Sequence, residues 1–254
     1  ESGTEYFYRI QAAGLAGGSE YSNETSAVPP HTQVVGRFIF YNGSKWINDK
    51  ATSSYIDALA LATDKQALLP GQTATLQNYT SYSKGINGIM IDVTNFDGSI
   101  TPDDFSILVG NSSDIGTWQP APEPAYVIEF PGSGVGGSIR FELIWDSNVI
   151  QNEWVQVTLK ANENTGLAED DVFYFGNAIG ETGNSPTNAV VDVADESGAA
   201  NNHTSSAALT NPYDFNRDKV VDAIDEQIAH NNYSGASPLQ LITVPGTPHG
   251  SGAG

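Results

Sequence analysis

Five oxygen-bearing side chains fall at positions 1, 3, 5, 9 and 12 of the twelve-residue stretch 214–225: Asp214, Asn216, Asp218, Asp222 and Asp225. A hard cation such as Ca2+ takes six to eight oxygens in flexible geometry. A loop that returns an oxygen about every second residue, with a main-chain carbonyl at position 7, supplies them. That carbonyl is Val220's. Two residues depart from the pattern. Lys219 stands at position 6 in place of the usual glycine, which predicts a strained turn or a non-glycine residue at positive φ. Asp225 at position 12 is shorter than glutamate and reaches less far. The competing reading is an acidic surface loop that leads into a helix.

The loop is half of a repeat. Residues 190–204 align without a gap on residues 220–234, at an offset of 30. Projected back, the first loop is 184–195, with Asn184 at position 1, Asn188 at 5, the Val190 carbonyl at 7, Asp192 at 9 and Asp195 at 12. Pro186 at position 3 carries no side-chain oxygen, so this loop should bind Ca2+ more weakly. Helices are expected over 196–202 and 226–232. They are short enough to need metal and mutual packing. A duplicated loop–helix with Asp at position 12 and no entering helix, over residues 180–236, resembles type I dockerin modules, an EF-hand-like fold. The resemblance implies Ca2+ as cofactor and a cohesin-like protein partner. Positions 10 and 11, which carry much of the partner contact in that family, are Val193-Ala194 and Ala223-Ile224. Contact through them would be hydrophobic, unless they pack on the chain's own body.

Composition narrows the function classes. Thirty acids against ten bases give a net charge of −20, which argues against nucleic acid and against an anionic membrane surface. Cysteine is absent, so neither disulfides nor thiolate–metal chemistry is available. No apolar run approaches the ~20 residues of a bilayer span. The chain lacks an initiator Met and a signal peptide, its one methionine being Met90. It is therefore expected to begin inside a longer secreted polypeptide, and the dockerin resemblance points to a bacterial source.

Residues 1–30 alternate around a glycine turn at 14–18 and resemble the last two strands of a fibronectin type III domain, with Tyr6 as its corner tyrosine. A hairpin alone is marginal in water, so this one should lie on the next domain or on an edge in another chain. Residues 34–180 hold eight strand-like runs separated by Gly, Pro, Asn and Asp. With no amphipathic helix longer than 53–61, they predict an antiparallel β-sandwich or jelly roll. Alternation in 139–143 and 155–160 predicts strands with one wet face. The domain order is thus 1–30 fibronectin-like, 34–180 sandwich, 181–236 dockerin-like repeat and 237–254 tail. The apolar residues 238–245 should lie as an extended strand on a neighbouring surface.

Catalysis finds little footing. Glu129, Glu142, Glu153, Asp146 and Asp171 are the sandwich carboxylates available for a glycosidase pair, and none sits in a motif. The sharper alternative is carbohydrate binding by aromatic stacking, with Trp46, Tyr79, Tyr82, Trp118 and Trp154 as platforms. Residues 95–98 with Asp103 and Asp104 offer a further cation turn, better explained as a capped turn. The leading expectation is a non-catalytic, Ca2+-stabilised extracellular assembly or adhesion module that contacts a protein partner or neighbouring subunit, with an extracellular fibre subunit as its variant. The alternative is a polysaccharide-binding module of a secreted degradative enzyme.

Overall fold

The computed structural model describes residues 5–15, 17–28, 30–47 and 57–246. The chain is mainly β. Two short antiparallel ladders, β1 (Tyr6–Tyr8) with β4 (Thr25–Ala27) and β2 (Ala13–Gly14) with β3 (Gly17–Gly18), form the N-terminal hairpin. A four-stranded antiparallel sheet follows the order β10 (Tyr126–Phe130), β11 (Ile139–Ile144), β7 (Gly88–Thr94), β5 (Gln33–Ile39). A five-stranded sheet runs β6 (Tyr79–Thr80), β13 (Asp171–Asn177), β12 (Trp154–Leu159), β8 (Phe105–Gly110), β9 (Gln119–Pro120). It is antiparallel except for the β6–β13 pair, which is parallel.

The two sheets close on one core. Register places Ile89, Ile91 and Val93 beside Leu143, Phe141 and Ile139. In the other sheet Val155 and Val157 lie beside Phe175 and Phe173. All but Ile139 are fully buried in a single cluster, with Ile139 packed at its border. β-Branched and aromatic residues suit this pleated, doubly covered environment.

A second cluster covers the outer face of the five-stranded sheet. Trp118, Trp154 and Tyr174 are packed under Leu68, Ala74, Leu239, Ile242 and Val244. The Trp154 indole donates to the Gln240 carbonyl at 2.8 Å, and Ala74 N–H donates to the Ile242 carbonyl. The surface expected to receive residues 238–245 is therefore the chain's own sheet.

One further expectation is corrected. The polar face of β11 is dry: Arg140 and Glu142 are buried. Arg140 makes a bidentate pair with Asp92 on β7, at 2.7 and 2.8 Å, and stacks over Phe38. Val135, in the glycine-rich hairpin loop, donates its N–H to the same carboxylate. Alternation alone does not reveal that an ion pair and a loop roof this face. Residues 53–56 of the helix expected over 53–61 lie outside the described residues; Asp57 is helical and Ala58–Ala60 is a 3-10 turn. The N-terminal hairpin leaves Phe7 and Ile10 62% and 76% exposed, so its apolar side chains are not covered by the sandwich.

Removing one partner of a buried ion pair strands the other charge. Arg140→Met should cost about 3–5 kcal/mol in chemical denaturation. Arg9→Met, which breaks the exposed pair with Glu24, should stay within about 0.5 kcal/mol.

Candidate metal-binding repeat

The sequence repeat is a structural one. Helices α1 (Val193–Asn201) and α2 (Ala223–Asn231) begin 30 residues apart, and each is preceded by its loop. Both start three residues earlier than expected because positions 9 and 12 form a capping box. Asp192 and Asp222 accept from the N–H of Ala194 and Ile224, while Asp195 and Asp225 reach back to the N–H of Asp192 and Asp222. Helix-capping, the competing reading of these acids, is thus present; it uses only part of their acceptor capacity.

In the second loop Asp214 is fully buried and takes two N–H bonds, from Asp218 and Lys219, both at 3.0 Å. Asn216 accepts from Asp218 N–H, and Asp218 from Val220 N–H. Asp225, also fully buried, accepts from Phe215 N–H at 2.8 Å as well as from Asp222. A carboxylate has about four acceptor sites, so Asp214 and Asp225 each keep lone pairs beyond these bonds. Burial raises the Asp214 carboxyl above its ordinary range. Burial, with the Asp214 charge adding to it, pushes Asp225 up to about 6. The Arg217 charge pulls the other way on Asp214. Two sunken carboxylates with spare lone pairs beside neutral amide and carbonyl oxygens are a donor set that fits a hard divalent cation. Among the described residues no three acidic or histidine side chains converge into a metal centre by themselves; the loop's set is mixed.

The positive φ expected at Lys219 is present, at 73°, and Arg217 adds a second at 54°. These turns aim two side chains at the sandwich. Arg217 is buried, donates to the Asn211 carbonyl and the Ser81 hydroxyl at 3.2 Å, and lies 4.7 Å over the Tyr41 ring. Lys219 Nζ sits 4.5 Å over Trp46. Main-chain bonds from Ser83 to Phe215 and from Lys45 to Arg217 complete the seam. Lys45 Nζ also reaches Asp218 at 3.1 Å.

The first loop is built differently. Asp195 Oδ1 collects Thr182 N–H, Thr182 Oγ1 and Asn184 Nδ2 at 2.9, 2.7 and 3.1 Å. Asn188 accepts from Val190 N–H and donates to Ser185. The residue missed from sequence is Glu181, three places ahead of position 1. It is 2% exposed and its Oε1 accepts from Gly183 N–H at 2.7 Å, while Oε2 is buried without a partner. Burial, then the charge of Asp195, push it up to about 7. An acid just outside a degenerate loop was the available signal.

The halves clasp across a pseudo-twofold. Ala199, Phe215 and Ala229 form the interhelical core. Thr204 pairs with Val221, and Ser234 N–H bonds to the Val191 carbonyl. Glu196 meets His230 and Tyr233, and Glu226 meets His203. Val193 and Ile224 do not pack on the sandwich: they are 64% and 55% exposed.

The other candidates are placed as follows. Tyr79, Tyr82 and Trp154 are fully buried, and Trp118 is 6% exposed with its indole bonded to the Ser112 carbonyl. Trp46 is half-buried beneath Lys219. None of these five offers an open stacking face. Glu129 and Glu142 lie on opposite faces of their sheet, Asp171 pairs with Arg37, Asp146 is exposed and Glu153 half-buried. Asp104 accepts from Thr101, Asn162 and Asn164 as a satisfied cap.

No family model, curated protein or solved structure matches this chain.

Two outcomes follow for the second loop. Arg217→Ala should cost about 2–4 kcal/mol, from lost charged hydrogen bonds and a desolvated cation–π contact. Lys219→Gly should fall within about 1 kcal/mol of neutral, since relief of the left-handed backbone offsets glycine's entropy and the lost ring contact; denaturant titrations check both. For Asp225, a folded value above the ordinary 3.8 means that its ionisation opposes folding in chelator. The stability gap between Asp225→Asn and the parent should move in the variant's favour as pH rises from 3.8 to about 6, then level off.

Proposed function

We propose that this chain is a non-catalytic, Ca2+-stabilised extracellular assembly module of a secreted bacterial protein, whose dockerin-like repeat makes a protein–protein contact. The observation that carries the reading is the exposed pair Val193 and Ile224. Both directly follow or closely trail a position-9 aspartate, and both sit in the first turn of their helix. Val193 stands at position 10 of the first loop and Ile224 at position 11 of the second, so each repeat holds one apolar residue in water at the start of its helix, the footprint of a partner surface. The loops supply the rigidity: Asp214, Asn216, Asp218, the Val220 carbonyl, Asp222 and Asp225 would hold one Ca2+. Asn184, Asn188, the Val190 carbonyl, Asp192 and Asp195 offer a poorer set for a second. The partner is a cohesin-like domain or a neighbouring subunit. Sugar binding has less support, because the aromatics offered for it are packed away.

Calcium calorimetry should show two unequal sites, with the tighter one lost in Asp214→Ala plus Asp225→Ala. At a hundredfold excess over Kd, calcium should add about 2.7 kcal/mol, or roughly 5–10 °C in melting temperature for a chain of this size. Val193→Asp plus Ile224→Asp should leave calcium binding unchanged. It should also abolish binding to an immobilised cohesin panel, or calcium-dependent self-association in sedimentation. Undiminished association in that variant would count against the surface.

A further inference from the structure

The first loop lacks what makes the second a plausible cation site. Its position 1 is an amide, Asn184, and its position 3 is Pro186. Asn184 turns its NH2 toward Asp195, donating at 3.1 Å. Read in register alone, only Asp192 and Asp195 bring charge, and Asp192 already serves as a helix cap.

Glu181 changes this account. Its side chain is buried, and the charges of Asp195 and Asp192 act on it, with no cation among the leading influences. Oε1 accepts from Gly183 N–H, and the Asn184 N–H also favours the charged carboxyl, while Oε2 is buried without a hydrogen bond of its own. A buried carboxylate oxygen without a donor is costly, and a second carboxylate beside it raises the cost. Such a pair needs a proton or a metal between its members. The surroundings are rich in neutral oxygens: the Thr182 hydroxyl on Asp195, and Asn184, whose amide orientation is exchangeable by a flip.

We infer that Glu181 is an out-of-register ligand that, with Asp195, builds a divalent-cation site at the first loop, supplying from outside the twelve residues the carboxylate that positions 1 and 3 lack. The inference rests on the calcium reading of the repeat and adds to it a residue that the loop register does not contain. Two carboxylates, an amide oxygen at Asn184 and a loop carbonyl are a calcium-type donor set, with two charges fewer than the four aspartates of the second loop.

The test is calcium calorimetry on the full chain. In a background that silences the second loop, Asp214→Asn plus Asp218→Asn, one weak site should remain. Adding Glu181→Gln should weaken that site about tenfold or more, and Glu181→Asp should weaken it less. In the otherwise unaltered chain, Glu181→Gln should keep the tight site and lose only the weak one. That also guards against misfolding, because a chain that holds the tight site is folded around it; near-ultraviolet circular dichroism gives a second check. A first-loop site that survives Glu181→Gln unchanged would overturn the inference. So would a Glu181→Gln that stabilises the chain in chelator without touching calcium binding, the result expected if the pair merely shares a proton. A working second loop beside a silent first loop would overturn this inference alone. Silence at both loops would overturn the calcium reading beneath it.

Discussion

A carboxylate sunk at the third residue of each helix holds the repeat together. Asp195 and Asp225 are fully buried, and each gathers main-chain N–H groups from its own helix start and from the loop's entry, Thr182 just ahead of the first loop and Phe215 at position 2 of the second. Burying a charge is unfavourable unless it is well paired or hydrogen-bonded; here the return is a closed loop, a capped helix and a fixed entry angle at once. Nine-residue helices are too short to stand alone, and the Ala199–Phe215–Ala229 contact between them is small. The closing of the loops is what brings these two helices into contact at all.

The same loops set how the repeat meets the sandwich. Two non-glycine residues at positive φ, Arg217 and Lys219, send cationic side chains away from the acidic ring and onto Tyr41 and Trp46. Each left-handed residue costs about 1–2 kcal/mol, and the contact it makes is of similar size. Arg217 adds hydrogen bonds to a buried hydroxyl and a carbonyl, which tips the balance toward a fixed seam. The aromatics that sugar recognition would need are spent here and in the two cores.

Much of this was legible in the sequence where one periodicity dominated. One of the eight strand-like runs, residues 88–94, is β7 to the residue, and the 30-residue offset places both helices. The two-residue strands β6 and β9 carry no pattern of their own; they exist because a longer neighbour offers an edge. The wet face assigned to β11 was wrong because Arg140 and Asp92 are on different strands, 48 residues apart, and pairing at that range leaves no local trace. Glu181 was passed over because it lies outside the loop register, and its importance comes from enclosure, which composition does not report.

The placement of residues 239–244 bears on how the chain is made. They roof Trp154 and Tyr174 and bridge back to Thr73, so the outer layer of the five-stranded sheet needs almost the whole described chain before it can close. During vectorial synthesis or export, that aromatic face has only part of its cover, from Leu68 and Ala74, until the last strip arrives. A nascent chain halted short of Leu239 would present a greasy sheet surface to whatever chaperone or neighbour stood nearest, and its lifetime in that state would depend on how soon the covering strip emerged.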